Sequence, residues 1–232
     1  MKLSTNLAIV LFAALGLLLV AITDRIVPGA TPHQEELQIW LAARATGVAG
    51  LVLLAGMVVL GILMSHPDQT RWKVAKRIYP WHETLWVFVL AFMTVHAAAL
   101  VIDPYAKVGV AGALVPGLSE YRPIPVAIGV IGLYAAFITG LTARFTKLLP
   151  PGVWLKLHRF AVVVLALTWT HGVLAGTDTE AFMPIYWAIA VAVIAATAHR
   201  YWIMRPRAAH RGPPALAHAA TEDPRGKPDR TP

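Results

Sequence analysis

From Leu7 onward the chain is divided into six apolar runs of helical length, separated by short polar or Pro/Gly-containing segments. A run of about 20 apolar residues is what an α-helix needs to cross a bilayer, and only helices or closed barrels satisfy their backbone there. The runs cover about residues 7–22, 38–64, 81–102, 124–142, 154–175 and 183–204, and none of the chain reads as a strand. The expected fold class is therefore all-α, a polytopic membrane protein built as a six-transmembrane-helix bundle. The bulk numbers agree: 57% of residues are hydrophobic and only 14% charged, against about 25% charged in an average soluble domain.

Charge location sets the expected topology. The net charge is +8, but Lys2, the Arg71, Lys73, Lys76 and Arg77 cluster, Arg144, Lys147, Lys156, Arg159 and the Arg200 to Arg211 group all fall on one side of the runs. The other side holds Arg25, Lys107 and Arg122 among Asp24, Glu35, Glu36, Asp103, Glu120, Asp178 and Glu180. By the positive-inside rule both termini are cytoplasmic and the protein is integral to the plasma (inner) membrane. The basic excess is then topological, and nucleic-acid binding is not expected. The first run also fits a signal peptide, but its length and poor cleavage pattern favour a retained helix. Residues 1–204 form one membrane domain, and residues 205–232, rich in Pro, Ala and charge, form a basic, disordered cytoplasmic tail. The chain has no cysteine, which excludes disulfides, thiolate metal sites and iron-sulfur clusters held by this chain.

Four histidines fall inside the apolar runs. His82 and His96 are 14 residues apart on one run; His158 and His171 are 13 apart on another. At about 1.5 Å per residue these steps span about 21 and 20 Å, too far for one metal ion, so two centres at two depths are implied. Both runs start on the basic side, which pairs His82 with His158 at the cytoplasmic level and His96 with His171 at the outer level. Intramembrane histidines are costly and mark function. A pair of neutral imidazoles from two helices suits the axial positions of a haem iron. With no Cys-x-x-Cys-His motif, two non-covalent haem b groups are expected. Trp86, Phe88, Phe92, Met93, Phe160 and Trp169 supply bulky apolar walls. At 100° per residue a 14-residue step returns to within about 40° of one face, whereas a 13-residue step misses by about 140°. The second helix therefore needs a tightened turn, curvature, or haems approached from different sides. His33, His66, His199, His210 and His218 have no depth-matched partners and read as surface residues.

Arg44 lies inside the second run. It either snorkels to the outer headgroups or faces a buried anion, such as a haem propionate or an oxyanion substrate. Arg144 and Arg159 are further candidates for propionate partners.

The 14-then-13 histidine spacing, together with Leu41-Ala42-Ala43-Arg44-Ala45, resembles the ferric reductase-like transmembrane domain family, which includes the membrane haem domain of NADPH oxidases and ferric reductases and the haem-binding subunit of bacterial methionine-sulfoxide reductase. The resemblance covers about residues 35 to 204. It implies electron entry at the inner haem, exit at the outer one, and a place for Arg44 beside the outer haem. Family oxidases carry flavin and nicotinamide domains after the last helix, and no such domain is seen after residue 204 here. The expected function is thus a b-type cytochrome, an oxidoreductase component that takes electrons from a separate flavoprotein reductase or membrane quinol. The outer acceptor would be ferric iron, another metal, oxygen or a partner protein. Two alternatives remain: a cytochrome b subunit of a quinol-oxidising complex, and a non-haem proton or metal transporter that uses the membrane histidines.

Overall fold

The computed structural model describes residues 5–21, 31–65, 74–150 and 152–203. Among them are eight α-helices, one 3-10 turn and no strand. In chain order the helices are α1 (Thr5–Ala21), α2 (Pro32–Met64), α3 (Val74–Ile102), α4 (Gly109–Leu114), α5 (Pro123–Arg144), α6 (Val153–His158), α7 (Ala161–Ala175) and α8 (Thr179–Ile203), with the 3-10 turn at Thr146–Leu148 between α5 and α6. The basic residues Arg71 and Lys73 and the tail from Arg205 lie outside the described residues.

Among the described residues five segments are long and apolar enough to cross a membrane: Pro32–Met64, Arg77–Ile102, Pro123–Arg144, Val153–Ala175 and Thr179–Trp202. The first apolar run forms α1, 17 residues and about 25 Å long, which packs along α3. Large apolar side chains point outward along the spans: Trp187, Val191 and Ile194 on α8, and Ile124, Ile131, Ile138 and Leu141 on α5. Such stripes at helical spacing would be a liability in water and are ordinary against lipid.

Helix ends explain where the sequence boundaries shift. Thr31 caps α2, its side chain accepting from the Gln34 N–H at 3.3 Å, and Pro32 occupies the first turn, where a missing N–H costs nothing. α2 therefore begins six residues before the expected run. α3 likewise starts at Val74, so that Lys76 and Arg77 belong to its first turns and Pro80 lies within it. A proline removes one backbone bond without ending a helix that neighbours hold in place. The loop after α3 is not structureless, because it contains α4.

α2 is packed along α3, and α5 along α7, while α2 also touches α7 and α8. Among the described residues α3 and α7 share no extensive packing of their own. Each histidine helix thus rests on a scaffold helix and faces the other across a gap. The main apolar cluster includes Leu54, Met57, Val58, Val89, Ala136, Val164, Leu165 and Ile189. Val89 and Val164 are its fully buried members, and each sits about midway in sequence between the two histidines of its chain segment.

Candidate functional site

The gap between α3 and the α6–α7 segment brings the four histidines together in two pairs. The His82 and His158 ring centroids are 5.9 Å apart with the planes at 82°; those of His96 and His171 are 6.2 Å apart at 77°. Two imidazoles bound to opposite sides of one metal, with metal–nitrogen bonds of about 2.0 Å and about 1.1 Å from each nitrogen to its ring centre, have centroids about 6 Å apart. The rings stand at that separation at both levels.

The 13-residue step is accommodated by a break. Expected as one helix, residues 153–175 form α6 and α7 with Arg159 and Phe160 between them. Phe160 N–H donates to Leu157 C=O at 3.0 Å and Val162 N–H to Arg159 C=O at 3.4 Å, the i to i+3 pattern of 3-10 winding. Arg159 and Phe160 have ψ of −19° and −9°, flatter than α-helix. The 3-10 helix turns about 120° per residue in place of 100°, and this overwinding brings His158 toward the face that carries His171.

Three of the four rings are held from behind by a scaffold helix, and the three holds share one design. His96 Nδ1 is 2.6 Å from Ala43 O, His82 Nδ1 is 2.9 Å from Met57 O and His171 Nδ1 is 2.8 Å from Pro125 O. A carbonyl only accepts, so each Nδ1 carries the proton and donates it, leaving Nε2 with a free lone pair. Four residues past each carbonyl stands a glycine: Gly47, Gly61 and Gly129. A Cβ on them would fall 2.8 Å from His96 Nδ1, 3.3 Å from His82 Cε1 and 2.6 Å from His171 Nδ1. The reason is helical geometry: the carbonyl of residue i lies beside residue i+4, and a side chain there would stand in the ring's way. His158 Nδ1 is buried and makes no hydrogen bond among the described residues, although the Thr139 backbone faces it.

At their own level His96 and His171 line an apolar cavity of about 1270 Å³, its open mouth included, together with Leu54, Met93, Tyr186 and the glycines Gly47, Gly50 and Gly129. Arg44 lines the same cavity. Its guanidinium forms an ion pair with Asp178, donates to Thr177 Oγ1 at 2.7 Å and lies 5.6 Å from the Trp40 ring centroid. The cavity's rim is tied down by Tyr121, whose hydroxyl donates to Ala175 O at 2.8 Å, and by Arg122, which donates to Leu174 O at 2.7 Å and Gly176 O at 2.9 Å. These bonds satisfy carbonyls left open at the end of α7. Burial pushes the Tyr121 phenol above its usual range, with Arg122 and then Arg44 pulling it back.

Of the other residues singled out, Arg144 and Arg159 are exposed near the His158 level, and His33 and His199 are exposed; His66, His210 and His218 lie outside the described residues. Met93 lines the outer cavity, the Trp86 ring lies against Gly140, Trp169 donates to Tyr186 O at 3.0 Å and Phe160 faces outward. Sequence reasoning missed the glycine seats. Their signal was present: Gly47 and Gly61 are 14 residues apart, the same step as His82 and His96.

The site thus belongs to an all-helical chain suited to a membrane, with two histidine pairs at two depths. Comparison with protein-family models, curated proteins and solved structures finds no match.

Proposed function

We propose that this chain is a transmembrane electron-transfer b-type cytochrome with two bis-histidine haems, His82 and His158 holding the inner and His96 and His171 the outer. The observation that carries the reading is the pair of imidazole–imidazole separations, 5.9 and 6.2 Å, at two levels about 20 Å apart by helix rise. The Nδ1 bonds of His82, His96 and His171 leave Nε2 free for a metal, which is how metal-bound histidines are usually oriented. Among the described residues no group of three or more His, Asp or Glu side chains is placed to hold a metal ion. A bare ion would find two protein ligands at each level, short of the usual four, whereas a haem brings its own four nitrogens.

A haem at each level would supply reversible one-electron chemistry, carrying electrons from a cytoplasmic flavoprotein or a membrane quinol to ferric iron, another metal, oxygen or a partner protein outside. The residues of the chain orient the ligands, keep the midplane apolar around Val89 and Val164, and place the Arg44 cation on the outer cavity. The resemblance to ferric reductase-like membrane domains belongs to the same proposal. So do α1 as a sixth span, cytoplasmic termini and residence in the inner membrane. The basic residues Arg71, Lys73, Lys76, Arg77, Lys147 and Lys156, which the charge pattern assigns to the inner side, suit an acidic donor protein, and high salt would then slow reduction.

The test is a reduced-minus-oxidised spectrum with a pyridine haemochrome count on purified protein. Two haem b per chain are expected, falling to one in His82→Ala and in His96→Ala. A folded wild type that stays colourless after haem supplementation overturns the reading and favours a transporter.

A further inference from the structure

The four histidine seats are not equivalent. Those of His82, His96 and His171 each combine a carbonyl acceptor with a glycine four residues later. Counted the same way along α5, the seat of His158 would be the Thr139 carbonyl with residue 143, and residue 143 is alanine. The carbonyl also has a competitor: the single Thr142 hydroxyl proton is divided between Ile138 O at 2.8 Å and Thr139 O at 3.0 Å. His158 Nδ1 is correspondingly buried without a hydrogen bond.

Resting on the haem reading above, we infer that Ala143 and Thr142 are positioning residues that leave His158 the unbraced ligand, and so set the potential of the inner haem apart from that of the outer one. A hydrogen bond from Nδ1–H to a carbonyl raises the basicity of the imidazole and strengthens its donation to ferric iron. A ligand without that bond donates less, which favours the reduced form and raises the potential. The outer centre has two braced ligands and the inner centre one. An inner centre held upward in this way is easier to reduce by its donor than the same pair fully braced.

The test is a redox titration of the haem-loaded membrane protein followed in the visible spectrum, with the inner signal identified as the one lost in His82→Ala. Ala143→Gly opens the seat, and Thr142→Ala frees the Thr139 carbonyl. Each is expected to shift the inner midpoint downward and leave the outer one in place, with the largest shift in the double variant. Gly129→Ala, which crowds the braced His171, is expected to shift the outer midpoint upward or release that haem. Two bound haems with an inner midpoint unmoved or raised in both Ala143→Gly and Thr142→Ala overturn this inference alone. A wild type that binds no haem overturns the underlying reading and this inference with it, so the two failures are distinct.

Discussion

At Gly47 a hydrogen atom separates an open seat for the His96 ring from a blocked one. A Cβ there would stand 2.8 Å from His96 Nδ1 and 2.9 Å from its Cε1, inside van der Waals contact, and both the ring and the helix behind it would have to move. Gly47→Val is therefore expected to lose the outer haem while the inner one remains, read as a fall from two to one in haem count. Arg44 makes a different kind of contribution. Its Asp178 partner is 42% exposed, so screening by water keeps the pair's worth to about 1 kcal/mol or less. Arg44→Gln should fold with little change in melting temperature, yet removing a cation from the outer cavity should lower the outer midpoint, because a positive charge nearby favours the reduced haem. A midpoint unchanged in Arg44→Gln would detach Arg44 from that centre. The histidines were legible in the sequence because a polar side chain in an apolar run is costly, and four of them at two matched depths stand out against such a background. The glycines were not, since a 14-residue step between Gly47 and Gly61 acquires meaning only once the antiparallel register of α2 and α3 sets each opposite a histidine.

Among elements, the α6–α7 break is where local sequence was least informative. Neither proline nor glycine marks Arg159 and Phe160; the 13-residue histidine step was the only sign that helix winding had to change there. Pro80 and Pro184, by contrast, look like boundaries and lie inside α3 and α8. Contacts between elements are close enough to test. A Cβ on Gly140 of α5 would overlap the Trp86 ring of α3, so Gly140→Ala overpacks this contact, with a cost expected at about 1–3 kcal/mol and a lower melting temperature in detergent. Trp86→Phe in the same chain should recover part of the loss. The Tyr121 bond to the end of α7 also has a pH limit. Its phenol is raised by burial in the folded chain, so the stabilisation is fully present below the unfolded value of about 10 and is lost as pH rises through the folded value. Wild type should lose melting temperature in that alkaline window, and Tyr121→Phe should lose less there while starting lower at neutral pH.

For the whole molecule, the helix ends sort charge onto two faces. Arg200 Nη1 donates to Ser65 Oγ at 2.5 Å, placing the ends of α2 and α8 together on the face that also carries the 3-10 turn and α6. Arg44 and Asp178 join the opposite face, next to the Tyr121 and Arg122 ties to the end of α7. Arg77, Arg144, Lys147, Lys156, Arg159 and Arg200 thus fall toward one side, and Asp103, Glu120, Asp178 and Glu180 toward the other. Charge runs alone had suggested this separation; the helix pairings had to come from three-dimensional packing. Because the chain contains no cysteine, single cysteines report topology without a background. An impermeant maleimide is expected to label Lys107→Cys and Glu120→Cys on intact cells, and Lys147→Cys only after permeabilisation. The reverse pattern would invert the orientation and exchange the inner and outer haem assignments while leaving the pairs themselves intact. Thr5→Cys decides the span number: labelling only after permeabilisation makes α1 a sixth crossing, whereas labelling on intact cells means that five helices cross and that α1 lies beside α3 without reaching the cytoplasm.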